Sequence, residues 1–450
     1  MVTRAVEIDA DALLSLHAAW PERYPVLLET AAHRGRGHDI LMAFPGEELT
    51  LRADRTLAGS PHLCSAPGFL AALDRWWLAT QTPVSAAGLP FTGGWFLYLG
   101  YELASEIEPR LELPSSIDGV IARAVRIPAA VIRRHGDHRT WITAEPAAQH
   151  LIDQIVSDLH AVAPPNSVAS IMEDSLQEED AKRYLDAVSA ALEQIAAGEI
   201  YQANLSRGWQ GLLRADVFPH HVYRRLRSAN PAPFAGIATF GDHAVISSSP
   251  ERLLEIRNGI ASTRPIAGTR PRSRDERADI ELARELQAHP KEQAEHVMLI
   301  DLERNDLGRI CDGGTVQVDE FMSLESYAHV HHIVSNVRGR VRTGVTPGEA
   351  IRAIFPGGTI TGCPKVRCME LIAEFERTPR GAYTGSIGYL NRDGSLDLNI
   401  LIRTLEIQGR SLRFRAGAGI VADSDPVREL AETRAKARGL VQALQGANSP

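Results

Sequence analysis

Two pairs of glutamates stand out by their spacing. Glu292 and Glu295 lie three residues apart, as do Glu429 and Glu432, with Lys436 four residues beyond the second pair. On a helix, positions i, i+3 and i+7 share one face. Two such faces brought together gather four carboxylates. That set suits a hard divalent cation such as Mg²⁺, which takes few carboxylates and leaves room for substrate oxygens. The same spacing also describes two solvated faces, with Glu429 and Glu432 favouring the N-terminal end of their helix.

Glycine marks two further places. FPGGTITGCPK sets Gly357, Gly358 and Gly362 ahead of a helix start, and RAGAG sets Gly417 and Gly419 at the end of an alternating strand. Glycine lets backbone amides approach a ligand, and helix N-termini attract anions; ordinary tight turns use glycine as well. Neither string is a P-loop. Arg403 falls inside NILIRTL, where an arginine either covers an edge or faces an anion. Glu251 follows SSSP and His332 lies in AHVHHIVS. Each suits a general acid if its surroundings tune it, and each also suits a purely structural role. Gln202, Thr359 and Tyr383 carry no signal from type and spacing. There is no nucleophile elbow, and Cys64, Cys311, Cys363 and Cys368 all lack the G-x-C-x-G setting of an amidotransferase nucleophile. The chain is therefore not expected to hydrolyse glutamine itself, and the four thiols read as reduced and structural.

These residues need elements to hold them. A helix is expected from about Glu178 to Ala197, with Leu185, Val188, Leu192 and Ile195 on one face and Gly198 as its stop. A helical block runs from Asp275 to Asp301, interrupted at Pro290. Another begins with Pro364 at the first helical position, and the last runs from Asp425-Pro426 to about Leu444. Strand-like runs group between them: FAGIATF, HAVISSS, RLLEIRN, YTGSIGYL, LNILIRTLEI and SLRFRAGAG. Earlier runs are HDILMAF, TGGWFLYLGYE and VIARAVRIPAAVIRR. Grouped strands with helices between the groups indicate an α+β fold with largely antiparallel sheets. The Pro-Pro stretch at Ala161–Asp174 divides an N-terminal region, 1–160, from a catalytic region, 175–445. All six tryptophans lie at or before Trp209, on the side away from most of the glycine-rich strings.

The 450 residues are 44% hydrophobic and 23% charged, with a net charge of −8. That composition excludes extended disorder and argues against a basic nucleic-acid binder. No apolar run reaches the roughly 18 residues of a membrane span. Glu7, Asp9 and Asp11 occupy the place of a secretory signal's uncharged core, so the expected compartment is the cytosol.

Nine ordered strings resemble the chorismate-utilising enzymes: GEIYQANLSR, SSSPERLL, RPIAGTRPR, KEQAEHVMLIDLERNDLGR, VHHIVSNVRG, FPGGTITGCPKVRCMELI, YTGSIGY, IRTLEI and AGAGIVADSDPVRELAETRAKA. The resemblance covers about Glu178 to Gln442 and is weaker before it. It implies large antiparallel sheets in a sandwich-like core with helices packed outside, and Mg²⁺ held by Glu292, Glu295, Glu429 and Glu432. Glu251 is implied as the general acid and His332 as the catalytic histidine. Thr359, Tyr383, Arg403, Gly417, Gly419 and Lys436 are implied around chorismate. Ammonia is expected from a separate glutamine amidotransferase subunit. Gln202 stands where water-using members carry a lysine, and resembles the ammonia-using ones. APFAG at Ala232–Gly236 leans toward aminodeoxychorismate synthase component I, since anthranilate synthases usually carry PYM there. One departure runs the other way. Several aminodeoxychorismate synthases have a lysine in PIKGT, whereas this chain has Ala267 in PIAGT, the usual spelling of anthranilate synthase component I.

Overall fold

The structure is a computed structural model and describes residues 1–9, 11–32, 37–84, 88–115, 119–273, 275–326 and 330–445. Among them, the strands form one 12-stranded and one 11-stranded sheet, and every paired register is antiparallel. The α+β expectation holds. The two sheets face each other across a layer containing Val26, Ile40, Met42 and Val245 from the first and Phe96, Tyr98, Val125 and Tyr389 from the second. The outer face of the first sheet packs Leu27, Leu41, Ile237 and Ile246 against helices that contribute Leu16, Ile155, Tyr223 and Leu440. The outer face of the second packs Leu97, Leu254 and Leu398 against Leu73, Ile300 and Ile351. Both faces of many strands are therefore dry, which is why Gly94–Leu99 reads GWFLYL with every residue buried instead of alternating.

Strands from both sides of the 161–174 stretch build both sheets. Val26–Glu29 pairs with Phe234–Phe240 in the first, and Gly94–Leu99 pairs with Ser386–Asn391 in the second. Several long apolar runs change sheet partway. VIARAVRIPAAVIRR splits at Pro128 into Val120–Ile127 in the second sheet and Ala129–Arg134 in the first. His243–Ser249 lies in the first sheet and Arg252–Arg257 in the second. Leu396–Asn399 lies in the second and Thr404–Gln408 in the first. LNILIRTLEI is thus two strands, and Arg403 sits between them with φ 52°.

The helices follow the sequence closely. Ala181–Ala196 starts at Asp180, whose side chain accepts from the Lys182 amide as an N-cap. Pro290 opens a separate helix, Pro290–Gly308, which runs beyond the expected Asp301. Pro364 is not the first helical residue: it caps Lys365–Glu376 in an extended conformation. The last helix is Pro426–Gln445. No helix among the described residues is long and apolar enough to cross a membrane. The four cysteines are free thiols.

Candidate active site

Glu251 and Arg403 occupy the two crossovers between the sheets. The Ser248 amide donates to the Arg403 carbonyl (3.1 Å), and the Ile400 amide donates to the Glu251 carbonyl (3.0 Å), so the crossovers brace one another. The Glu251 side chain is buried. Burial pushes its pKa up to about 7, against the lowering effects of the nearby Thr359 hydroxyl, the Ile266 amide and the Arg403 and Lys436 charges. The Arg403 guanidinium forms no ion pair among the described residues. Burial works against its charge and Glu251 supports it.

Helix Pro290–Gly308 lies across strands Ile266–Pro271 and Val330–Arg340. It presents Glu295 to Gln202, whose Nε2 donates to Glu295 Oε1 at 3.0 Å. Gln202 opens strand Gln202–Leu212, which pairs with Ser411–Ile420 so that Asn204 stands opposite Gly419 and Ser206 opposite Gly417. Both glycines are needed. A Cβ at Gly417 would lie 2.5 Å from the Tyr383 hydroxyl and 2.6 Å from the Leu205 carbonyl oxygen. One at Gly419 would collide with Gln202 Nε2 and lie 3.7 Å from Glu295 Oε1. Tyr383 is buried and its hydroxyl donates to Asn204 Oδ1 at 3.4 Å.

Helix Pro426–Gln445 packs on the same strand, Ser411–Ile420. Lys436 pairs with Glu432 at 2.8 Å. Its positive charge lowers the pKa of both Glu251 and Glu295 and helps depress that of His332. The Glu295 carboxyl is raised, first by burial and then by Glu292, with Glu432 adding to it; the Gln202 hydrogen bond and Lys436 oppose this. Glu429 and Glu432 both act on the Tyr184 hydroxyl. His332 is buried with Nδ1 3.4 Å from the Gly268 carbonyl. Burial first, then Arg403, brings its pKa down to about 3, so its imidazole is neutral.

The two acidic helices approach one another where Glu432 and Glu292 both act on Glu295. Glu251, His332 and Tyr383 are buried, Arg403 is half-buried, and Glu432 and Lys436 are exposed. The four glutamates do not close on a single point. Glu292 pairs with Arg270 at 3.1 Å and Glu432 with Lys436, and no three acidic, His or Cys side chains among the described residues stand close enough to share an ion. In kind, the donors fit a hard cation: carboxylates from two helices, Glu292 and Glu432, both push the Glu295 carboxyl up.

Sequence reasoning passed over three groups behind Glu251, two of them buried. Glu303 and Asp306 continue the inward face of helix Pro290–Gly308, and the Lys365 ammonium pairs with Asp306. The stripe running from Glu292 through Glu303 to Asp306 was the available signal. Asn204, beside Tyr383 and Gly417, had none.

A two-sheet α+β fold with helices outside and a buried acid, Glu251, at a sheet crossover beside Arg403 is the class this geometry defines. The chorismate binding enzyme family model matches residues 26–442, and the chain belongs to that family. It is 42% identical over 366 residues to an anthranilate synthase component I-like protein of Synechocystis, covering 80% of this chain and 74% of that one. It is 38% identical over 394 residues to aminodeoxychorismate synthase component 1 of Bacillus subtilis, covering 84% and 82%. Its fold superposes on anthranilate synthase component I of Streptococcus pneumoniae with a TM-score of 0.81 at 30% identity, covering 91% of this chain and 93% of that one.

Proposed function

We propose that the chain is an Mg²⁺-dependent chorismate aminase. It takes ammonia from a separate glutamine amidotransferase subunit and forms 4-amino-4-deoxychorismate. The observation that carries the choice of ammonia is the Gln202 amide. Gln202 is 4% exposed, its Nε2 donates to Glu295, and its Oε1 is buried with no partner among the described residues. An ionised carboxylate only accepts, so the amide nitrogen must face Glu295 and the oxygen must point away from it. A buried acceptor there favours a nucleophile rich in N–H, and an amide is too weak a base to activate water.

Glu251 gives its proton to the 4-hydroxyl, turning a poor leaving group into water. A pKa near 7 keeps a protonated fraction at neutral pH. His332, neutral at working pH, stands where a proton near the ring must be managed. Arg403, Lys436 and the amides at Gly417 and Gly419 receive the enolpyruvyl carboxylate, while Thr359 and Tyr383 contact the substrate. Glu292, Glu295, Glu429 and Glu432 would hold Mg²⁺, which would supply charge stabilisation and orientation at the ring carboxylate. Ammonia is mostly ammonium at neutral pH, so enclosed delivery keeps the nucleophile unprotonated.

A second reading, anthranilate and pyruvate from chorismate, is favoured by Ala267. This position is buried opposite Ile333 and offers no amine for a covalent adduct, so ammonia adds directly. Incubation with chorismate, Mg²⁺ and an ammonium salt at alkaline pH, with products separated by mass spectrometry, tests both. Aminodeoxychorismate supports the first reading, and fluorescent anthranilate with pyruvate supports the second. Absence of any amination product sinks both, and a substrate adduct mapped to a lysine refutes direct addition.

A further inference from the structure

The metal reading leaves unused the lower half of helix Pro290–Gly308. Glu303 lies three turns beyond Glu292 on the same stripe and is 4% exposed; Asp306, one turn further, is fully buried. Leu302 in that turn packs where a Cβ at Gly358 would stand, and Glu303 Oε1 is 3.6 Å from the same point. Gly358 directly precedes Thr359, whose hydroxyl neighbours the Glu251 carboxyl. Glu303 therefore lies against the Gly358-Thr359 segment whose hydroxyl flanks Glu251, close enough for the two carboxyls to act on one another.

That region is unusually polar for a dry interior. The Thr359 hydroxyl stands beside the Glu251 carboxyl and the Thr263 hydroxyl beside the Glu303 carboxyl, while Glu251 Oε1 and Asp306 Oδ1 are buried without a well-formed hydrogen bond to a described residue. Buried polar atoms are nearly always paired, so two under-bonded carboxyl oxygens with hydroxyls between them mark a functional locality. The outer end is built differently: the Lys365 ammonium pairs with Asp306 and donates to the Ile354 carbonyl at 3.0 Å, and its side chain is 14% exposed. The row thus runs from the reacting acid to a partly wetted cation.

We propose that Glu303 is the proton store for Glu251, refilled from the Asp306–Lys365 end. This rests on the reading of Glu251 as general acid. In each turnover the Glu251 O–H bond breaks and its proton leaves with the 4-hydroxyl as water. The Glu303 O–H bond then breaks and the Glu251 O–H bond re-forms. Glu303 recovers one proton from solvent, and the amine sheds one to solvent as the C–N bond forms, so the balance closes.

The electrostatics agree. Burial, then the Asp306 charge, raise Glu303 to about 8; Lys365 and Thr263 lower it, and Glu251 raises it. The charged groups facing the pair are Asp306 on the same helix, Lys365 on helix Lys365–Glu376, and Arg403 and Lys436 on the Glu251 side. With Glu303 near 8 and Glu251 near 7, the store is still protonated when the acid has given up its proton.

Glu303→Gln and Glu303→Asp test the assignment. Glu303→Gln is expected to keep chorismate affinity while kcat falls at least about tenfold. Its alkaline kcat limb should drop from two ionisations to one, and Glu303→Asp should recover part of the rate. An unchanged rate overturns the proposal, and so does a reduced rate with the parent's two-ionisation limb. Infrared titration gives a readout independent of turnover: the parent must show, at neutral pH, a protonated buried carboxyl that Glu303→Gln lacks, and its absence from the parent overturns the store. Glu251→Gln run alongside separates the two claims. If it retains full rate, the general-acid reading fails; if it is inactive while Glu303→Gln is normal, only the store fails.

Discussion

The Ile400 amide donates a 3.0 Å hydrogen bond to the Glu251 carbonyl, tying together two points where the chain leaves one sheet for the other. At a crossover the backbone has turned out of its ladder, so the side chain is free of the strand's in-and-out alternation. Glu251 and Arg403 both sit at such points, and the Ser249 hydroxyl adds a further bond to the Ile400 carbonyl. Glu251 is thus held by backbone bonds that survive replacement of its side chain.

Glu251→Gln is accordingly expected to fold, bind chorismate and lose turnover about 10²-fold or more. In the parent, kcat should decline as pH rises through about 7, because the required form is the acid. The stability sign follows from the same shift. The folded pKa lies above the ordinary carboxyl value, so the folded state holds the extra proton and stability falls as pH rises between the two. Glu251→Gln should therefore raise Tm more at alkaline than at acid pH. Thermal melts at several pH values check this, and a parallel Tm profile for parent and variant would refute it.

The two glycines of strand Ser411–Ile420 should fail differently. At Gly417 a methyl group meets the Leu205 carbonyl of the neighbouring strand, which cannot swing aside. Gly417→Ala should cost about 1–3 kcal/mol of stability. At Gly419 the obstacle is the Gln202 amide, a side chain that can rotate. Gly419→Ala should keep its Tm but lose about 10²-fold in rate as Gln202 is driven off Glu295. Chemical denaturation with steady-state rates separates the two, and equal destabilisation by both changes would contradict the geometry.

How much of this could be read from the sequence depends on the range of the signal. Helix Ala181–Ala196 was legible because Val188 and Ile195 repeat at the helical period and Asp180 caps it. The Glu292/Glu295 and Glu429/Glu432 spacing announced two acidic faces, but their meeting is a tertiary fact. The sheet changes at Pro128 and across Ile400–Arg403 were not legible, because burial on both sides makes the flanking strands uniformly apolar. Gln202 gained meaning only once strand pairing set it beside Gly419 and Glu295. Residues 1–160 and 175–445 differ in composition, yet their strands interleave in both sheets, since pairing follows edges and not sequence proximity.

Removal of divalent metal should abolish turnover and leave the fold intact. Glu295 is the most informative ligand position, because burial and Glu292 raise its carboxyl while Gln202 holds it down. A proton then competes with the cation, so the Mg²⁺ needed for half-maximal rate should rise as pH falls. Gln202→Ala removes the 3.0 Å donor and should steepen that dependence, and Glu295→Gln should raise the requirement at every pH. Rate titrations with Mg²⁺ after EDTA treatment measure this, and full activity in EDTA would end the metal assignment.

Behind the substrate face lies a buried charge network centred on Glu376. Its carboxylate accepts from the Ser206 amide (2.8 Å) and hydroxyl (2.9 Å), from Arg380 (2.6 Å) and from Arg415 (3.1 Å). Arg380 in turn donates to the Asn204 carbonyl at 2.7 Å and lies over the Tyr383 ring. Burial pulls the Glu376 pKa up, but Arg380 and Arg415 outweigh it and the net shift is downward. Glu376→Gln leaves Arg380 buried without its counter-charge, a loss of about 3–5 kcal/mol. The sign with pH is opposite to that of Glu251. A depressed carboxyl stabilises the fold above its ordinary pKa and loses that contribution as pH falls through the folded value. The gap between parent and Glu376→Gln in urea unfolding should therefore be widest near neutrality and narrow in acid. A gap that widens in acid would show that Glu376 is held neutral, and that the Arg380 charge is balanced elsewhere.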